Sequence, residues 1–220
     1  MEAVRTRKSI RGYKKDLVSK EVIKEILEIA TRSPSALNTQ PWEFTVVTGE
    51  VLDNIRKANV EALMSGKTPS MNFESYKGIY KQRQVDLAKQ IFKLMGIARE
   101  DSAKRAEWMQ RGFRFFDAPA AIIISMDESL EGTLALFDIG AVAQTICLVA
   151  MNYGLGTCIE GQGIMYPDVI RKFTGIPDSK KLIMGIAIGY PDWEFPANEV
   201  KSEREPVDNI TTWHGFTDQS

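Results

Sequence analysis

Near the start of the chain, "RTRKSIRGY" places Arg7, Lys8, Ser9 and Arg11 within five residues. Guanidinium groups grip a phosphate bidentately, and a hydroxyl adds a further donor. Arg7 and Arg11 are four apart, a spacing that puts both on one face of a helix. A basic helix turned to water is the plainer account of the same charges. A second stretch, "SPSALNTQPW" (33–42), offers Ser35, Asn38, Thr39 and Gln40 between Pro34 and Pro41. Asn and Gln amides each carry both a donor and an acceptor, so they match a ring edge on which the two alternate. The prolines stiffen the loop and lower the entropy lost when it closes on a ligand. The competing account is a capped turn with Trp42 as core packing.

Other chemistry is excluded by what the sequence lacks. His214 is the only histidine, which rules out zinc sites built on two or three of them and leaves a Ser-His-Asp or Cys-His arrangement only a tail residue to use. There is no GxxxxGK[ST], and the glycines of "GLGTCIEGQG" do not fit G-x-G-x-x-G. Cys147 and Cys158 are too few for a disulfide framework or a zinc site and suit a reducing cytosol, so no metal is expected. Without its own nucleophile, metal or acid/base relay, an enzyme of this sequence needs an organic cofactor. Flavin mononucleotide (FMN) meets both halves of the pattern: a dianionic phosphate for the basic cluster and a donor/acceptor pyrimidine edge for the amide loop.

The elements that must position these residues follow from periodicity. Residues 2–11 are expected as a short basic helix. A second helix should start at the N-cap Ser19 and set Val22, Ile23, Ile26, Leu27 and Ala30 on one face, stopping before Pro34. "EFTVVT" (43–48), "PAAIIIS" (119–125), "GLGTCIE" (154–160) and "KLIMGIAIGY" (181–190) read as strands, and 50–64, 133–152 and 167–173 as helices. Residues 66–116 are charged, aromatic and mostly helical, the composition of a cap inserted in a single domain spanning 1–220. Apolar residues are 44%, charged residues 26% and the net charge is -1, so no global field argues for nucleic acid or an anionic membrane. Residues 133–151 come nearest to a membrane span, but Asp138 and Gln144 lie inside them, and a buried core helix is the better reading. With no apolar signal region at its start, the chain is expected in the cytoplasm. The polar tail from Pro191 carries Ile210, Trp213 and Phe216, which must bury against a partner subunit or fold back on the chain.

"RKSIRGY", "SPSALNTQPWEF", "FDIGAVAQTICLVAMNYGLGTCIEG" and "GYPDWEFP" followed by "REPVDNITTW" resemble, in this order, the successive motifs of the FMN-dependent nitroreductase family. The resemblance covers most of the chain outside 66–112. It implies an α+β fold whose central, mostly antiparallel sheet is flanked by helices, in a homodimer with two FMN sites at the interface and the C-terminal arm exchanged with the partner subunit. It further implies that Arg7, Lys8, Ser9 and Arg11 hold the phosphate with Arg204. Pro34, Ser35, Ala36, Asn38 and Gln40 would reach the ring from the partner, and backbone N–H groups at Glu160 and Gly161 would approach the flavin N5. Where the family often has a basic residue two before the tail arginine, this chain has Ser202, with Lys201 one further back; Asn72 is a ring-contact candidate by position. The implied chemistry is ping-pong, with hydride passing from NADH or NADPH through FMN to an electron-poor aromatic substrate. Phe73, Tyr76 and Tyr80 of the cap can stack on such a ring, and Lys77 can meet a carboxylate, unless these aromatics are the cap's own small core. "LMGIAREDSAKR" leading into "GFRFFDAPAAIII" looks like the nitrobenzoate reductase branch. Dehalogenation, enoate or quinone reduction on the same fold, and a non-catalytic FMN-binding module, are the alternatives.

Overall fold

The computed structural model describes residues 1–70, 76–130 and 132–216. Runs of β-branched and small apolar residues form β1 (Glu43–Thr48), β2 (Ala120–Asp127), β3 (Gly156–Glu160) and β4 (Lys180–Gly189). All pairings are antiparallel, in the order β1-β2-β4-β3. β2 is buried from Ala120 to Met126, which is why it reads as an unbroken apolar run rather than an alternation: both of its faces are covered. Ile122 and Ile124 face one core and Ala121 and Ile123 the other, as the two-residue period of a strand requires.

The first core is filled by α2 (Lys20–Ala30) and α6 (Thr133–Asn152). α2 starts where expected: the Ser19 hydroxyl accepts from Val22 N at 3.2 Å, and Ile23, Ile26 and Ala30 are buried. The second core receives Leu52 and Ile55 of α3 (Gly49–Met64) and Ile170 of α7 (Pro167–Thr174). α7 begins on a proline at its first position and ends on Gly175 at φ 72°, the conformation in which a side chain is strained. Trp42 packs in the first core, so this residue of the amide loop is structural.

The expected helix over residues 2–11 is cut short. α1 covers only Glu2–Thr6, after which the chain extends: Ser9 bridges to Thr157 in parallel, Ile10 N donates to Thr157 O at 2.9 Å, and Lys14 N donates to Tyr190 O at 2.9 Å. The outer edge of β3 offers backbone partners that a short isolated helix cannot match, so tertiary pairing overrides local propensity. The expected strand at 154–160 likewise starts at Gly156, because Gly154 and Leu155 close the end of α6.

Within 66–116 lie α4 (Gly78–Leu94) and α5 (Ser102–Phe113). Tyr76, Lys77 and Tyr80 are exposed, so they are not a private core of this segment; Phe73 and Asn72 lie outside the described residues. α6 is the one helix long and apolar enough to cross a membrane among the described residues, and half of its most apolar stretch is buried inside the fold. Its buried Asp138 accepts from Ala36 N at 3.0 Å, which accounts for a carboxylate in so apolar a helix. Leu134, Leu136 and Phe137, in its first two turns, are exposed. Ile210 of α8 (Val207–Ile210), Trp213 and Phe216 are exposed as well, although Trp213 and Phe216 meet edge to face at 5.5 Å.

Candidate functional site

The extended conformation of residues 7–11 regroups the basic cluster. Along an extended segment side chains alternate, so Arg7, Ser9 and Arg11 share one side and Lys8 and Ile10 take the other. Ile10 is buried, and the Lys8 ammonium lies 5.2 Å from the centre of the Trp193 ring. Lys8 is thus turned away from the three residues it was grouped with. Ser9 and Arg11 are both close enough to Cys158 to pull its thiol down, Arg11 by its charge, and the charge of Arg7 acts likewise on Cys147. Burial pushes the Cys158 thiol up to about 11 and raises Cys147, so both are inert thiols rather than nucleophiles at neutral pH.

Two residues that sequence reasoning did not single out hold this segment. Asn198, 1% exposed, accepts from Arg11 N at 2.7 Å and Gly12 N at 3.2 Å and donates to Gly12 O at 2.8 Å and Asp192 O at 2.7 Å. Arg111 of α5 donates to Arg11 O at 3.1 Å, stacks over the Phe195 ring at 4.7 Å and pairs with Asp117 at 2.9 Å. Asn198 lies two residues beyond the "GYPDWEFP" motif, but no spacing rule marks it. Arg111 is one of 28 basic residues and carries no signal of its own.

The amide loop is tied to α6. Ser33 and Thr145 hydroxyls meet at 2.8 Å, Asp138 takes Ala36 N, and Ser35 Oγ accepts from Gln40 N at 3.1 Å. Leu37, Asn38 and Gln40 hold positive φ of 54°, 58° and 46° without being glycine. Such residues cost on the order of 1 kcal/mol each or more, and cluster at functional sites. The loop presents Pro34, Asn38 and Gln40 outward, with Leu37 99% exposed. Among the described residues, no hydrogen bond or ion pair joins this loop to Arg7, Ser9 or Arg11. Arg204 is also separate: it bonds back to Ser202, while the neighbouring Glu205 pairs with Arg83 of α4 and Lys201 N donates to Gln90.

At the far end of β3 the chain turns through Glu160, Gly161 and a single 3-10 turn, Gln162–Ile164. With a rise of about 3.3 Å per residue, Gly161 lies about 13 Å along the strand from the residue opposite Ser9. Gly161 has φ -102° and ψ -16°, angles open to any residue, so backbone conformation does not require glycine there. The Glu160 carboxyl points into the second core, where Oε2 accepts from Gly163 N at 2.8 Å and Oε1 is buried without a partner. Burial raises its pKa to about 8, against the opposing pull of the Gly163 and Gln162 N–H groups.

A ligand touching both ends of β3 must therefore be elongated, with its anionic end where Arg7, Ser9 and Arg11 stand. The donor set fits an FMN molecule: two guanidinium groups and a hydroxyl for the phosphate, with backbone N–H groups and neutral amides elsewhere. Among the described residues no group of three or more His, Cys, Asp or Glu is arranged to hold a metal ion.

The chain is 33% identical to the nitrobenzene nitroreductase of Ectopseudomonas oleovorans over 96% of its own length and 95% of the relative's. It is 30% identical to the 4-nitrobenzoate reductase of Pseudomonas putida, over 97% and 94%. Its fold matches the crystal structure of the FMN and NADPH-dependent nitroreductase NfnB from Sphigopyxis sp. strain HMH with a TM-score of 0.92 at 30% identity, covering 98% of both chains. The model of the nitroreductase family matches residues 4–190, and with most of the chain and its whole sheet covered, the protein belongs to that family.

Proposed function

We propose that this protein is an FMN-dependent oxidoreductase that takes hydride from NADH or NADPH and reduces nitroaromatic or related electron-poor substrates. The observation that carries the reading is the row of Arg7, Ser9 and Arg11 on one side of a segment paired to β3, whose other end is the Glu160–Gly161 turn. FMN, when bound, supplies hydride acceptance from the nicotinamide and onward delivery to the substrate. The chain's own residues bind and orient: Arg7, Ser9 and Arg11, with Arg204 added, for the phosphate, and the Gly161 turn for the ring. Neutral amides rather than charges near the ring leave room for negative charge to be stabilised as it develops. The relatives named for nitrobenzene and 4-nitrobenzoate support the substrate class. Tyr76, Tyr80, Phe73 and Lys77 are the candidates that meet it, in a helical cap over 66–116 of one domain.

The purified protein is expected to be yellow, with flavin bands that bleach when NADPH or NADH is added without oxygen and return with nitrobenzene. A protein that binds FMN but is never bleached would be a binding module; one that takes up no FMN would sink the site.

The working unit of this reading is a cytoplasmic homodimer. Leu37, Leu134, Leu136 and Phe137 are exposed apolar groups at one end of α6, and the amide loop fixed there is not joined to the phosphate residues of its own chain. A second copy laid on this face brings its Pro34–Gln40 loop to the first copy's site, and its arm of Ile210, Trp213 and Phe216 finds cover. Phe137, 75% exposed here, would then be buried. Phe137→Asp is expected to shift sedimentation from dimer to monomer and to release FMN, because a charge in such an interface costs several kcal/mol. A Phe137→Asp protein that remained an FMN-loaded dimer would place the interface elsewhere.

A further inference from the structure

The Glu160 carboxyl occupies a place built for a neutral acid. Gly163 and Gly185 make the room: a Cβ at Gly163 would stand 2.7 Å from Oε1, and one at Gly185 2.9 Å from it. The Phe115 ring closes the same space, 2.5 Å from the first of those positions and 2.9 Å from the second. That ring is set there by a left-handed run, Phe115, Phe116 and Asp117 at φ 53°, 52° and 58°. The run is stapled by Arg56 to Arg114 O and Ala118 O and by Arg111 to Phe116 O. The result is an oxygen in an apolar cradle with nothing to donate to it, beside one whose bond to Gly163 N holds the turn after Gly161.

We propose that Glu160 is a positioning residue that holds the cofactor-facing turn 161–164 in place as the neutral acid, and that proton loss from it displaces this turn and weakens FMN binding. This rests on the FMN site described under the proposed function. A charge on Oε1 has no donor in the cradle and must turn toward water. Since Oε2 holds Gly163 N, the turn moves with it. Among the described residues no cation opposes this: the groups facing Glu160 are Phe115, Gly185 of β4, Gln162 and Gly163 of the turn, Cys158 on its own strand and Tyr13 of the N-terminal segment. The thiol and the phenol are both pushed up by burial and remain neutral between pH 7 and 9, while Arg11 acts on those two groups. With the carboxyl titrating at about 8, the protonated fraction falls about tenfold across that interval, and affinity falls with it. The FMN phosphate is already doubly ionised there, its second pKa being about 6.

The test is the FMN dissociation constant, from quenching of flavin fluorescence at pH 7, 8 and 9, for the wild-type protein, Glu160→Gln and Glu160→Ala. Glutamine keeps the shape and neutrality of the acid. The expected result is roughly tenfold weakening with pH in the wild type, a flat profile in Glu160→Gln, and weak binding at every pH in Glu160→Ala. The infrared carboxyl band of Glu160 in the FMN-free protein should persist at pH 7 and fade by pH 9. Parallel profiles for wild type and Glu160→Gln, or a carboxylate band already present at pH 7, would overturn the proposal. Tight FMN binding and bleaching by NADPH at pH 7 would then leave the proposed function standing, whereas absence of FMN binding at pH 7 would remove both.

Discussion

Asn198→Ala is expected to destabilise the protein by about 3 kcal/mol and to weaken FMN binding at the same time. The side chain satisfies three backbone groups of Arg11 and Gly12 from a fully enclosed position, and alanine leaves them unpaired. A buried donor or acceptor without a partner costs about 1 to 3 kcal/mol, and water readmitted to the gap recovers part of the sum. For a chain of this size that lowers the melting temperature by roughly 6 to 12 °C. The effect on the cofactor follows from which backbone is released. Arg11 sits between Asn198 and the Arg111 bond to its carbonyl, so losing Asn198 frees the guanidinium from its place in the row with Arg7 and Ser9. One hydrogen bond to a charged group is worth about 1.5 to 3 kcal/mol, or roughly ten- to a hundredfold in the dissociation constant. Calorimetry and FMN titration on the same sample separate the two effects. Asn198→Asp is the control: it still accepts from Arg11 N and Gly12 N but loses both donated bonds, and should fall between wild type and Asn198→Ala. An unchanged melting temperature in Asn198→Ala would show that Arg111 alone fixes the segment.

How much of this was legible in the sequence depends on whether a feature is local. Ser19 as a cap, the period of Ile23, Ile26 and Ala30, and the apolar run of β2 each state their structure within a few residues, and the structure agrees. The segment after Thr6 reads as helix in the sequence because its true partner, Thr157, is some 150 positions away, and a period of four for Arg7 and Arg11 is also two periods of two. The same two residues share a side either way, so the spacing of Arg7 and Arg11 looks alike in a helix and in an extended segment, and Lys8 is the residue whose side depends on which element forms. Asp138 was visible as an odd charge in an apolar helix, and only the fold shows that it anchors Ala36. The Glu160 cradle was illegible: it needs Phe115, Gly163 and Gly185 from three separate stretches, and a left-handed run at 115–117 that no glycine announces.

That cradle also sets how stability depends on pH. The Glu160 pKa is raised on folding, from 4.5 to about 8, so between these values the folded protein keeps a proton that the unfolded chain has released. Stability must therefore fall as pH rises through this window, be independent of this group below about 4.5, and level off above about 8. The full span is on the order of 5 kcal/mol, a large share of what a domain of this size has. The opposite behaviour comes from Asp127, held at about 2 by hydrogen bonds from Ser129 and then from Lys180: its contribution is lost only as pH falls from 3.8 toward 2. Asp168 and Glu205 are likewise lowered, by Lys67 and by Asn209 respectively, and act on that same acid side. Urea midpoints of the FMN-free protein at pH 5, 6, 7 and 8 are thus expected to decline steadily in the wild type. Glu160→Gln, which has no proton to lose, should stay level over the same range, so that the two proteins diverge with rising pH and the variant is the more stable at pH 8. Parallel lines would mean that the carboxyl is ionised throughout, with water or a cation beside Oε1. In that case the left-handed run at Phe115 would have to be explained by something other than a neutral acid on its ring.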